Sequence, residues 1–355
     1  MSAESASETR HAEAAAASPR AADDVLLRVE GLKVHFPIGG GLLGRPKAVV
    51  RAVDGIDFSV RRGRTFGIVG ESGSGKSTTA LAVMRLVKHT AGTIRLGDDD
   101  VGAASGEALR RMRRRFQMVF QDPFASLNPR KRAGDAVREA LDLMEAGEPS
   151  ARAARVAELF AQTGLRPEQQ MLFPHQFSGG QRQRIVLARA LAANPELVVC
   201  DEPVSALDVA IQAQILNLMR RLQDELGLTY LFISHDLGVI RHMCDEVAVM
   251  YLGLVVEQAP REALFVRPLH PYTLALWSAA PSFDPAARGR GHRIRLQGDP
   301  PSPIDVPAGC RFAGRCPFAE DRCRSEAPAL REVAPGHRVA CHRVTDDGAP
   351  AYPLP

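Results

Sequence analysis

Residues 65–78 read TFGIVGESGSGKST. The apolar run before Gly70 has the length of a short buried strand, and the helical pattern of Leu81, Met84 and Leu86 follows Lys76. Between them Gly70, Gly75, Lys76 and Ser77 fit G-x-x-x-x-G-K-[ST] in the strand-to-helix setting that the motif requires. Glycines at 70, 73 and 75 let backbone N–H groups turn inward on phosphate oxygens, and the helix N-terminus adds its partial positive charge. The motif places Lys76 on β/γ-phosphate oxygens and the Ser77 hydroxyl on Mg²⁺, with Ser72, Ser74 and Thr78 completing the loop.

Downstream, ELVVCDEP at 196–203 ends an apolar strand in Asp201 and Glu202. Two carboxylates at the carboxyl end of a buried strand lie beside the phosphate loop in this topology. Asp201 is expected in the Mg²⁺ shell, and Glu202 is expected to orient and polarise an attacking water. Apolar strands TYLFIS (229–234) and VAVMYLG (247–253) alternate with helices such as 211–227, which argues for a mainly parallel sheet covered on both faces. Upstream, Val25–Phe36 and Ala52–Val60 alternate apolar and polar residues as half-buried antiparallel strands do, joined by the glycine-rich 39–46. From about Pro123 to Leu191 the periodicity is helical, as in VREALDLM (137–144) and ARVAELFAQTG (154–164), which reads as a helical insertion. Beyond about Pro260 frequent Pro, Gly and Arg mark a small loop-rich appendage.

Composition bounds the rest. The chain of 355 residues is 45% apolar and 24% charged, enough for a sizeable core. A net charge of +4, from 45 basic and 41 acidic residues, is too small and dispersed to imply nucleic-acid binding. The run Arg110, Arg111, Arg113, Arg114 and Arg115 reads as a solvated helix face. Residues 1–24, rich in Ala, Ser and Glu, read as a disordered tail with no secretion signal. No apolar run approaches the ~18 residues that cross a bilayer, so membrane attachment is expected through a partner. Cys200 and Cys244 sit in apolar settings where an inert buried thiol is expected.

FSGGQRQRIVLARAL (177–191), SALD (205–208) and SHD (234–236) complete an ordered set of motifs that resembles the ABC ATPase superfamily over about Val25–Gln258. The resemblance implies an α/β P-loop NTPase of ABC type: a mixed sheet core, an antiparallel β-subdomain, a helical subdomain insertion and the loop-rich C-terminal appendage. It implies that Ser178, Gly179, Gly180 and Gln181 head a helix facing the γ-phosphate held by the opposite subunit, with Asp208 at the dimer seam. It implies catalytic roles for Lys76, Gln121, Glu202 and His235, with Gln121 also reaching Mg²⁺ and His235 contacting the γ-phosphate. Phe36 occupies the position where the family stacks an aromatic ring on adenine. All core motifs are intact, which implies ATP hydrolysis by direct attack of water.

LKVHFPIGGGLLGR (32–45), QDPFASLNPR (121–130), RPLHPYT (267–273) and GCRFAGRCPFA (309–319) narrow the resemblance to the oligopeptide/dipeptide uptake subfamily, and within it to the F-type ATPase subunit. This implies an ATPase domain over 25–265, with the helical subdomain near 123–191, and a C-terminal oligopeptide-transporter-type region over 266–355. It also implies a second ABC ATPase in a head-to-tail heterodimer, two transmembrane permease subunits and an extracytoplasmic peptide-binding protein, with this chain peripheral at the cytoplasmic face of the inner membrane. The cargo would be di- or oligopeptides. Close relatives carry nickel, glutathione or glycosides, and an ABC ATPase acting without a transporter is the more distant alternative.

Cys310, Cys316, Cys323 and Cys341 follow a C-x5-C-x6-C-x17-C spacing in the appendage. Structural zinc usually draws on C-x2-4-C pairs, which are absent, whereas four thiolates on loops suit an iron–sulfur cluster. A [4Fe-4S] cluster agrees with what some members of the resembled subfamily carry. Zinc, or four reduced thiols without metal, are the alternatives, and His337 and His342 are second-rank ligand candidates.

Overall fold

The computed structural model describes residues 24–39, 47–279, 294, 296 and 298–352. The expected tail, apart from Asp24, and most of the glycine-rich loop at 39–46 lie outside the described residues.

Two sheets organise the chain. The smaller is antiparallel in the order β2-β1-β4-β5, from β1 (Val25–Ile38), β2 (Ala48–Arg61), β4 (Ala91–Leu96) and β5 (Asp99–Asp100). Along β1, buried Leu27, Val29, Leu32 and Val34 are interleaved with more exposed residues, as expected of strands with one wet face. The larger sheet has the order β11-β12-β10-β9-β3-β8-β7-β6. Its strands are β3 (Thr65–Val69), β6 (Phe116–Val119), β7 (Leu197–Asp201), β8 (Thr229–Ile233), β9 (Glu246–Tyr251), β10 (Leu254–Pro260), β11 (Arg331–Ala334) and β12 (His337–Val339). The five strands from β9 to β6 run parallel, and β3 and β8 are buried throughout, which explains their unbroken apolar sequence.

Helices cover both faces. On one, α1 (Lys76–Val83) and the small sheet share a core of Phe66, Ile68, Ala80, Val83 and Leu231, where Phe58 and Phe66 stack with centroids 5.1 Å apart. On the other, α6 (Gly179–Leu191), α7 (Val209–Leu226) and α8 (Leu237–Met243) pack on Val69, Val198, Cys200 and Phe232. Gly67 lets α8 approach, because a Cβ there would lie 2.7 Å from Cys244 Sγ. Short α2 (Gly106–Met112) follows the small sheet, and its buried-residue-free surface fits the solvated reading of Arg110 and Arg111. The helical stretch comprises α3 (Pro123–Ser126), α4 (Ala133–Leu143), α5 (Arg152–Gln162), two 3₁₀ turns and α6, with no strand among them.

The C-terminal region is joined to the large sheet. After α9 (Arg261–Val266) and α10 (Pro271–Ala279), loops, α11 (Asp321–Ser325) and the β11/β12 hairpin follow, and β12 pairs with β10. Buried Glu257 on β10 fastens this seam: it accepts N–H bonds from Leu269 at 2.6 Å and His270 at 2.9 Å, and lies 2.8 Å from His337 Nε2. Burial holds His270 neutral, its pKa lowered to about 3. Among the described residues, no helix is long and apolar enough to cross a membrane.

Candidate active site

The chain leaves β3 at Val69 and enters α1 at Lys76 through a loop whose glycines take conformations closed to other residues. Gly70, Gly73 and Gly75 have φ of 153°, 79° and 107°. A Cβ at Gly70 would lie 2.2 Å from Met250 O, and one at Gly75 2.3 Å from Ala52 O, so both are fixed by backbone approach as well as by φ. At Gly73 a Cβ would meet nothing within 4 Å, so there the left-handed φ alone favours glycine. Helix α1 has no side-chain cap at its N-terminus, so its first N–H groups remain available to an anion. Lys76 Nζ donates to Gly70 O at 2.8 Å and Glu71 O at 2.9 Å. Its burial lowers the ammonium pKa, against the opposing pull of Glu202, Asp201 and Glu71.

The carboxylates arrive from the end of β7. Ser77 Oγ donates to Asp201 Oδ1 at 3.0 Å, tying the two oxygens expected around a cation. Burial pushes the Asp201 carboxyl above its ordinary value, an effect the Ser77 bond opposes and the adjacent Glu202 charge reinforces. Glu202 sits at φ 50°, a left-handed conformation costing about 1–3 kcal/mol in a non-glycine residue. Its N–H is held by Ile233 O at 2.9 Å. Its carboxylate is shared by two long-range partners, Gln121 Nε2 at 2.9 Å on Oε2 and His235 Nδ1 at 2.9 Å on Oε1. Gln121 follows β6 and His235 follows β8, so three parallel strands deliver these groups to one edge.

They surround a cavity of about 790 Å³. Ser72, Gly73, Gly75, Lys76, Ser77 and Thr78 form one wall; Gln121, Glu202 and His235 form another. Phe36, 38% exposed, also lines the cavity. Gly70, Ser74 and Asp201 do not line it, and the Ser74 Oγ is buried and unpartnered. Ser77, Asp201 and the Gln121 amide offer hard oxygen donors. That set fits Mg²⁺, which is held by one or two carboxylates together with phosphates and water. Val50, Ala52 and Pro303 also line the cavity and escaped the sequence reading, since nothing in an isolated apolar residue or proline marks it as a wall of a site built by other segments.

The signature residues are not on this cavity. Ser178 caps α6, its Oγ accepting from Gln181 N at 3.3 Å while Gln181 Oε1 accepts from Ser178 N at 3.0 Å. Gly180 is small because a Cβ there would lie 2.5 Å from Ile211 Cγ2. Asp208 caps α7 through Ile211 N at 3.0 Å.

The iron–sulfur expectation is overturned. Among the described residues, no group of three or more His, Cys, Asp or Glu side chains is placed to hold a metal ion. Cys323 and Cys341 are buried, Cys310 and Cys316 pack against the main core, and all are free thiols. Burial raises the pKa of Cys310, that of Cys316 to about 11 and that of Cys341 to about 12. The two histidines are engaged elsewhere, His337 with Glu257 and His342 Nε2 with Glu326 O at 3.0 Å. Cys200 and Cys244 are wholly buried in the main core.

Two family models match the chain: one described as ABC transporter over residues 53–205, the other as the C-terminal region of oligopeptide/dipeptide transporters over residues 256–323. The chain is 50% identical over 320 residues to the oligopeptide transport ATP-binding protein AppF of Bacillus subtilis (strain 168), covering 90% of this chain and 97% of that one. It is 49% identical over 319 residues to a probable peptide ABC transporter ATP-binding protein of Sinorhizobium fredii, covering 90% of each. Among solved structures it resembles the ATP-binding cassette MJ0796, a dimer in a post-hydrolysis state bound to ADP and Pi, with TM-score 0.59 and 27% identity over 66% of this chain and 99% of that one. It also resembles cbiO1 of Clostridium perfringens, part of the cbiONQ transporter complex, with TM-score 0.60 and 27% identity over 69% of this chain and 92% of that one.

Proposed function

The chain belongs to the ABC transporter family, in its oligopeptide/dipeptide branch, and from that premise we propose that it is the ATP-hydrolysing subunit that energises import of di- or oligopeptides through partner permeases. The observation that carries the chemistry is the convergence of Lys76, Ser77, Gln121, Glu202 and His235 on one cavity at the carboxyl edge of the parallel strands. The peptide cargo is supported by the branch, through the family model at 256–323 and the names of the relatives.

Lys76 leaves its loop carbonyls for the β/γ-phosphate oxygens, neutralising charge as the γ-phosphoryl departs. Ser77, Asp201 and Gln121 would hold Mg²⁺, which would supply neutralisation of the phosphate charge. Glu202 accepts a hydrogen bond from the attacking water and orients it in line with the scissile bond. Gln121 and His235 fix that carboxylate meanwhile, and His235 reaches the γ-phosphate. The hydrolytic bond change is simple: water oxygen bonds to the γ-phosphorus, the bridge to the β-phosphate breaks, and ADP and phosphate leave. Phe36 stacks on adenine. Ser178, Gly179, Gly180, Gln181 and Asp208, absent from this chain's own cavity, serve the site of a second ATPase subunit paired head to tail.

In this reading residues 25–265 form the ATPase domain, 123–191 its helical subdomain and 266–355 the C-terminal region. The chain acts peripherally at the cytoplasmic membrane face with a second ATPase, two permeases and an extracytoplasmic binding protein. The test is ATP hydrolysis by membranes co-expressing the chain with its neighbouring permease and binding-protein genes. Peptide should stimulate turnover, and Glu202→Gln should lower it by about 10²–10⁴-fold. Turnover that ignores peptide but rises with nickel, glutathione or a glycoside would keep the ATPase and replace the cargo.

A further inference from the structure

The C-terminal region touches the phosphate loop directly. Arg315, in the segment between Cys310 and Cys316, donates from Nη1 to Glu71 Oε2 at 2.8 Å and from Nη2 to Glu71 Oε1 at 3.3 Å. Glu71 is the residue after Gly70, inside the loop that cradles phosphate. Its backbone N–H donates to the Tyr272 hydroxyl at 2.8 Å, and its carbonyl accepts from Lys76. One loop residue is thus held at three points, two of them from the far end of the chain.

The Arg315 side chain is 9% exposed, beside the Tyr251, Tyr272 and Phe312 rings, whose centroids lie 4.7–5.5 Å apart. A second arginine of the same segment, Arg311, bonds Leu252 O and Asp54. The neighbouring Gly253 N–H donates to Ser74 O at 2.9 Å, so the far side of the loop is anchored through that turn as well.

We propose that Arg315 and Tyr272 are positioning residues for the phosphate loop, so that docking of the C-terminal region and nucleotide binding are coupled. This rests on the loop being the ATP site proposed above. The physical reason is charge. An unpaired Glu71 carboxylate next to the loop repels incoming phosphates and competes for Lys76; a bidentate guanidinium cancels that charge and fixes the side chain facing away from the cradle. The phenol, in turn, fixes the direction of a loop N–H. Coupling of this kind is reciprocal: nucleotide must tighten the docking as much as docking tightens nucleotide.

The experiment is calorimetric titration of the full-length chain with Mg²⁺ and a non-hydrolysable ATP analogue. Arg315→Ala should weaken binding roughly 10-fold, within the range of typical coupling. Glu71→Gln combined with Arg315→Ala should recover most of that loss, because the offending charge is gone, and Arg315→Lys should recover part of it. Tyr272→Phe, which keeps the ring, should weaken binding about 3-fold, within the worth of one hydrogen bond. Hydrogen exchange at 309–316 should slow when the analogue is added. A wild type that does not bind the analogue would overturn the ATP reading itself. A wild type that binds, with Arg315→Ala and Tyr272→Phe binding equally well, would overturn only the positioning roles. A double variant no better than Arg315→Ala would show a scaffold effect and overturn the charge argument, as would unfolding of Arg315→Ala together with unaltered binding by Tyr272→Phe.

Discussion

The phosphate loop and the cysteine segment are both dense in reactive side chains, and the fold treats them in opposite ways. Around the loop, groups from β3, β6, β7 and β8 face an open cavity, and the backbone is held in left-handed conformations at Gly73, Gly75 and Glu202. In the segment 310–341 the sulfurs are buried or half-buried, and burial raises the thiol pKa of Cys310, Cys316 and Cys341. Spacing suggests chemistry in both places. Chemistry needs in addition that the side chains converge on space that a ligand can enter, in the protonation state the ligand requires.

The largest effect should separate binding from turnover at the loop. Gly75→Ala puts a Cβ into Ala52 O at 2.3 Å and demands a left-handed alanine, so nucleotide binding should be lost in titration. Glu202→Gln should still bind. If Gly75→Ala bound normally, the cradle would not be the site.

At the cysteine segment the same logic predicts a stability change alone. Cys341→Ser places a hydroxyl in a core with Leu269, Val339 and Tyr352 and should cost about 1–3 kcal/mol in denaturant unfolding, whereas Cys341→Ala should cost about 1 kcal/mol. Neither should change ATP affinity, and the purified full chain should carry only substoichiometric iron and zinc. Stoichiometric metal, lost in Cys341→Ser, would erase the contrast between the two regions.

Acid should act at their junction. Asp54 pairs with Arg311 of the C-terminal region and lies 2.7 Å from His35; burial raises its pKa, but these two partners prevail and hold it below the usual 3.8. A depressed carboxylate contributes stability that is present above 3.8 and is lost as pH falls through the lower folded value. Exchange protection at 309–316 should therefore fall below pH 3.8 in wild type, and Asp54→Asn should flatten that step.

The smallest effect belongs to the helix caps. Asp208→Ala should destabilise by about 1 kcal/mol through α7, an effect already present in the isolated chain, and a further loss of turnover only in the assembled transporter would expose its role at the subunit seam.

Much of this was legible in the sequence because it is local. The strand–loop–helix around Lys76, the buried strand ending at Asp201 and Glu202, and the helical run to Leu191 are each written in consecutive residues, where periodicity and turn chemistry report directly. The strands β4 and β5 and the hairpin β11/β12 carried no such signal, since they lack an unbroken apolar run and are specified by the strands they pair with.

The sequence by itself therefore determined the class of fold and the family, because a motif fixes backbone freedom and charge at known spacing. Tertiary structure alone decided that the four C-terminal cysteines are packed as free thiols, that His337 belongs to Glu257, and that Arg315 reaches Glu71 across 244 positions. Burial, protonation and long-range pairing depend on what the rest of the chain packs against a residue, and no local stretch of sequence contains that information.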